Sequence, residues 1–77
     1  MARYYFDFHR DGHLVTDEEG TELPTLDEAR EECAQALAEL AKWELRGTTS
    51  RELVIVVKRD GKPVLKTRLF YEAGVPD

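Results

Sequence analysis

Seventy-seven residues, 42% hydrophobic and 35% charged, predict one small globular domain and exclude a disordered polar chain. No apolar run approaches the roughly 20 residues that span a bilayer, and a single cysteine, Cys33, excludes an internal disulfide. The net charge of −5 is unevenly spread: residues 1–39 hold three basic and eleven acidic side chains, residues 40–77 eight and five. Such a dipolar chain can steer partners of either sign, or its own copies. A domain of this size buries only about 60–65% of its unfolded surface, so a homo-oligomer is expected. The opening MARYYFDFHRDG lacks the apolar centre of a signal peptide, and the expected location is cytoplasmic.

Arg3 to Phe8 alternates, with Tyr4, Phe6 and Phe8 on one side and Arg3, Tyr5 and Asp7 on the other. This spacing predicts a strand with a buried aromatic face. His9 to Gly12 reads as a turn and His13 to Thr16 as a short second strand. Asp17 to Leu23, DEEGTEL, reads as an acidic connection into a helix.

That helix, Thr25 to Gly47, organises the chain. Thr25 and Glu28 have the spacing of a capping box, Asp27 and Glu28 complement the positive end of the dipole, and Gly47 follows Lys42 and Arg46 as a C-terminal signal. Leu26, Ala29, Cys33, Ala36, Leu37 and Leu40 fall on one side, with Ala34, Ala38, Ala41 and Leu45 widening it and Trp43 at its margin. Glu44 projects near this stripe and is expected to reach solvent or a basic strand residue. Cys33 reads as a core residue rather than a nucleophile.

After a loop at Thr48–Ser50, Glu52 to Lys58 is apolar on both faces and reads as a central strand. Arg59-Asp60-Gly61 turns the chain, Lys62 to Glu72 forms the last strand, and Ala73 to Asp77 reads as a loose tail. The expected fold is α+β in ββαββ order: a four-stranded antiparallel sheet, spatial order 2-1-3-4, with one long helix on one face. Residues 1–73 form the domain and 74–77 a flexible tail.

Two registers are open to the second hairpin. A two-residue Asp60-Gly61 turn puts Val54, Val56, Leu65 and Leu69 on one face with Lys58. A three-residue loop with Gly61 left-handed aligns Leu53, Ile55, Val57, Leu65, Thr67 and Leu69. The second is preferred, because it turns Lys58, Lys62, Lys66 and Arg68 away from the helix, and burying one unpaired ammonium costs several kcal/mol. It leaves Tyr5, Val54, Val56, Val64 and Phe70 on a helix-free sheet face, bordered by Arg3, Lys58, Lys62, Lys66 and Arg68. An apolar patch of this kind marks an interaction surface.

Several stretches resemble a family of small bacterial proteins common in rhizobia and related alphaproteobacteria. The resemblance rests on the opening Arg3-Tyr4-Tyr5-Phe6, the Asp11-Gly12 turn, the D-E-E-G-x-E-L stretch at residues 17–23, Asp60-Gly61 and an aromatic at Phe70. That family is a domain of unknown function, so the resemblance implies a fold and a bacterial cytoplasmic setting without an activity. The charged segment LKTRLF departs from its usual members.

No catalytic, cofactor or metal constellation emerges. Asp17, Glu18, Glu19 and Glu22 lack the ligand alternation of a calcium loop and read as a solvated turn. His9 and His13 could converge across a hairpin, but two histidines fall short of a structural zinc site. Thr48, Thr49 and Ser50 have no histidine base, and the acidic TELPTLD opposes a phosphate site. The expected function is a non-enzymatic interaction module that homodimerises, or binds a protein, through Tyr5, Val54, Val56, Val64, Phe70, Lys58, Lys66 and Arg68. The alternative is single-stranded nucleic acid on the same face, with Tyr5 and Phe70 stacking on bases; the negative charge weighs against it.

Overall fold

The computed structural model describes residues 1–76. Six elements follow in order: β1 (Ala2–Arg10), β2 (His13–Val15), β3 (Thr21–Leu23), α1 (Leu26–Glu44), β4 (Ser50–Arg59) and β5 (Lys62–Glu72). The sheet therefore has five strands and not four. Thr21–Leu23, expected to be part of a connection, pairs antiparallel with Ala2–Tyr4 of β1. A three-residue strand is too short to show a period-2 pattern, which is why it reads as loop. The main path runs β2-β1-β4-β5, all antiparallel, matching the order expected for these four, and β3 shares β1's outer side with β2. Gly74 to Pro76 carry no regular structure, and Asp77, the end of the expected tail, lies outside the described residues.

The helix forms where its signals place it. Thr25 is the N-cap, its Oγ1 accepting the Glu28 N–H at 3.1 Å. At the other end Leu45 caps the helix, donating to the Ala41 carbonyl at 3.2 Å, and Gly47 adopts φ +71° two residues later. The buried stripe is narrower than expected. Ala29, Cys33 and Leu37 are buried and Ala36 and Leu40 partly so, while Ala34, Ala38 and Leu26 are exposed. A cylinder meets a sheet along a seam, and a methyl group on its flank does not reach across the gap. Tyr4, Leu53, Ile55 and Val57 meet that seam from the sheet, flanked by Phe6, Phe8, Leu65 and Leu69. Cys33 is fully buried among them, and burial raises its thiol pKa, which suits a core side chain.

The second hairpin corrects the expected loop while keeping the preferred face. Arg59 pairs with Lys62, so Asp60-Gly61 is a two-residue turn, with φ +52° and +75° as a type I′ turn requires. A register shift between Val57 and Lys58 then makes Lys58 face Pro63 but Val57 face Leu65, and Val64 is the extra residue of a bulge. Beyond it Leu53, Ile55 and Val57 stand opposite Leu69, Thr67 and Leu65. The inserted residue, rather than a longer loop, turns Lys58, Lys66 and Arg68 away from the helix; Lys62, expected on that face too, lies before the bulge opposite Arg59 and so falls on the helix side.

Candidate functional site

The face of the sheet opposite α1 is a grid set by three antiparallel strands. Between β1 and β4, Tyr5 stands opposite Lys58, Asp7 opposite Val56, and His9 opposite Val54. Between β4 and β5, Val56 stands opposite Lys66, Val54 opposite Arg68, and Glu52 opposite Phe70. The expected apolar set is only partly assembled. Val54 is buried and Val56 half-buried, whereas Phe70 is 60% exposed. Val64 leaves the set, because the bulge packs it against the core cluster. Tyr5 is half-buried, with its ring edge against Gly20. His9, Gly12, Glu52, Val54, Val56 and Lys66 line a shallow depression of about 230 Å³, smaller than the range of roughly 300–1,000 Å³ usual for small-molecule sites.

Part of the basic border is neutralised within the chain. Asp7 is 3% exposed, and its Oδ2 lies 2.8 Å from Lys58 Nζ. Its Oδ1 accepts the Asp17 N–H at 3.1 Å. The lysine holds the Asp7 carboxyl below the usual carboxylate range against the opposing effect of burial, with the Asp17 N–H assisting. Arg68 donates to Glu52 Oε2 at 3.0 Å. Lys66 is exposed. The pairing of Asp7 with Lys58 was not readable in the sequence: alternation puts Asp7 on this face, but only the β1–β4 register, set by no local turn, brings Lys58 beside it.

The acidic DEEG stretch proves to be a joint of the sheet. β2 and β3 leave β1's outer side unpaired around Phe6. Asp17 fills that gap: its Oδ2 accepts the Phe6 N–H at 3.0 Å, while Oδ1 accepts from Glu19 N–H at 3.2 Å and Gly20 N–H at 3.1 Å. Burial would raise its pKa, but these three N–H donors outweigh that and lower it. Gly20, at φ +71°, lets the loop approach β1 closely. Asp11 acts similarly at the first turn. Its N–H donates to the Glu52 carbonyl at 3.0 Å, and its carboxylate accepts Glu52 N–H at 2.9 Å and Arg51 Nη1 at 2.9 Å. The Glu52 N–H, with Arg51 assisting, lowers the Asp11 pKa against the opposing effect of burial.

Other candidates are dispersed. His9 and His13 do not converge, because the register pairs His9 with Leu14 and Arg10 with His13, placing them on opposite sides of the sheet. Glu44 meets a basic strand residue as expected, with Oε1 3.2 Å from Arg10 Nη1. Arg51 Nε donates to the Glu44 carbonyl at 3.0 Å, tying the helix end to β4. Trp43 is exposed, with the Arg46 guanidinium 5.3 Å from its ring centroid. No helix among the described residues is long and apolar enough to cross a membrane.

The architecture is thus an open antiparallel α+β sheet carrying one helix, and no element of the described residues covers the other face. The chain belongs to DUF6894, a domain of unknown function, whose family model matches residues 3–70. No curated protein and no solved structure matches it.

Proposed function

We propose that this chain is a non-enzymatic interaction module of the bacterial cytoplasm, meeting protein through its helix-free sheet face, in the simplest case a second copy. The observation that carries this is the exposed Phe70, diagonal to Val54 on the face that also holds Val56, with no helix or strand of the described residues over them. Tyr5, Lys58, Lys66 and Arg68 form the rim. An apolar centre with a polar border is the anatomy of a protein interface. Nucleic acid has less support, since Lys58 and Arg68 are already paired with Asp7 and Glu52 and the chain is acidic overall.

Sedimentation equilibrium over a wide concentration range, comparing wild type with Val56→Lys, tests the reading. A dimer that Val56→Lys dissociates at least about tenfold more readily supports it, since a charge buried in an apolar contact costs well over the 1.4 kcal/mol that tenfold represents. The double change Lys66→Glu, Arg68→Glu should leave an aliphatic contact largely intact. Salt-dependent binding of a single-stranded oligonucleotide, abolished by that double change, would overturn the reading.

A further inference from the structure

The two edges of the sheet are treated differently. β1's outer side is covered by β2, β3 and the Asp17 carboxylate, whereas β5 is last in the strand order, with only β4 beside it among the described residues. The Ala73 N–H donates to the Thr49 carbonyl at 2.7 Å, so at the end of β5 the odd-numbered residues turn their backbone groups towards β4. Antiparallel alternation then turns the N–H and C=O of Lys66, Arg68, Phe70 and Glu72 to the open side. Exposed edges are commonly blunted by proline, lysine or a bulge. In β5, Lys62, Pro63 and the bulge at Val64 lie together in the first third, and residues 66–72 run without a register shift.

We infer that residues 66–72 of β5 pair antiparallel, across a two-fold axis, with the same residues of a second copy, joining two sheets into one. The side chains select the register. With the axis at Leu69, Lys66 stands opposite the partner's Glu72 and Arg68 opposite the partner's Phe70, so a cation meets an anion and a guanidinium meets an aromatic ring. With the axis at Thr67, Lys66 would oppose the partner's Arg68; with the axis at Arg68, two guanidiniums would meet. Like charges directly opposite one another are destabilising. An axis at Phe70 would shorten the ladder and set Lys66 against the partner's Gly74. Lys66 and Glu72 form no ion pair within the chain among the described residues, so both are available to the partner. On the helix side the same register brings Leu69 against the partner's Leu69 and Thr67 against the partner's Tyr71. This pairing uses the sheet's edge and holds whether or not the helix-free face has an occupant.

The test is sedimentation equilibrium of the full chain, with circular dichroism confirming that each variant is folded. Wild type is expected to dimerise, and Glu72→Lys to weaken the dimer about tenfold by turning two symmetric attractions into repulsions. The swap Lys66→Glu, Glu72→Lys restores opposite charges and should restore the dimer. Arg68→Pro removes an outward N–H without touching the β4 ladder and should abolish dimerisation, whereas Arg68→Ala should change it by only about threefold. Should Arg68→Pro fail to fold, the charge swap alone decides. A monomer at every concentration overturns the inference, as does a dimer indifferent to Glu72→Lys. A dimer released by Val56→Lys and not by Glu72→Lys would place the contact on the face, and overturns the edge pairing while sparing the proposed function.

Discussion

Replacing Asp17 by alanine is expected to lower the unfolding free energy by about 3 kcal/mol, measured by urea denaturation at neutral pH. The carboxylate accepts N–H groups from Phe6, Glu19 and Gly20, and the bonds to Phe6 and Gly20 are partly buried. Water can replace the exposed bond to Glu19. The other two donors lose a charged acceptor, and each such loss costs about 1–3 kcal/mol. Asp17→Asn keeps one acceptor oxygen and should cost roughly half as much. A loss below about 1 kcal/mol for the alanine variant would mean that solvent enters the gap in β1 freely, and Asp17 would not be a joint of the sheet. The same contacts have a signature in acid. In the folded chain the Lys58 ammonium holds the Asp7 carboxyl, and the Phe6, Gly20 and Glu19 N–H groups hold the Asp17 carboxyl, below the ordinary aspartate value. Their stabilisation is therefore complete above the unfolded pKa of about 3.9 and is lost as pH falls through that value towards the lower folded pKa. Wild type should lose stability steeply below about pH 4, and Asp17→Ala less steeply, because part of that dependence has been removed.

The role of Asp17 shows where sequence reasoning runs out. Four acids and a glycine in six residues suggest a cation loop or a solvated turn, since a carboxylate's charge is visible in sequence and its acceptor capacity is not. The distinguishing feature was the spacing D-x-x-G. An aspartate whose Oδ1 accepts from the second and third residues ahead is a local turn device, and it leaves Oδ2 for a strand elsewhere. That Phe6 is the strand residue follows only from β3 pairing with Ala2–Tyr4. The helix was readable for the opposite reason: its N-cap, charge bias and C-terminal glycine are all local, and Thr25, Asp27, Lys42 and Gly47 act within one turn of themselves.

The helix-free face falls between these cases. Which residues face away from α1 could be argued from the cost of burying Lys58, Lys66 and Arg68, and the β4–β5 register agrees. The means was misread. Asp60-Gly61 is a strong two-residue turn signal, and taken alone it would put Lys58 on one face and Lys66 and Arg68 on the other; the bulge at Val64 brings the three to one face. A bulge leaves no composition signature in PVLK, so the hydrophobic pattern on either side had to reveal it. Val64 then moves from the outer face to the core margin, and the exposed apolar surface that remains is centred on Phe70, near the end of β5 where the open edge lies.

Gly20→Ala is expected to cost about 3 kcal/mol, against about 1 kcal/mol for Gly12→Ala, both read from urea midpoints at constant m-value. Both glycines have positive φ, +71° and +82°, so each substitution pays a left-handed penalty of about 1–2 kcal/mol. They differ in space. A Cβ at Gly12 meets nothing within 4 Å, whereas one at Gly20 would lie 2.9 Å from Arg3 Cγ, 3.0 Å from the Tyr4 carbonyl oxygen and 3.0 Å from Tyr5 Cε2. The Arg3 stem can swing aside. The Tyr4 oxygen belongs to β1 where β3 pairs with it, and relieving that contact means moving the loop off the strand, which lengthens the Asp17 bonds to Phe6 and Gly20. Gly20→Ala and Asp17→Ala therefore act on one joint, and the double variant should cost clearly less than the sum of the two. Strict additivity would show that the close approach at Gly20 and the carboxylate bridge at Asp17 are independent, and that the shared motif is two separate requirements. Equal costs for Gly12→Ala and Gly20→Ala would show that the loop shifts without resistance, leaving backbone conformation alone to demand glycine there.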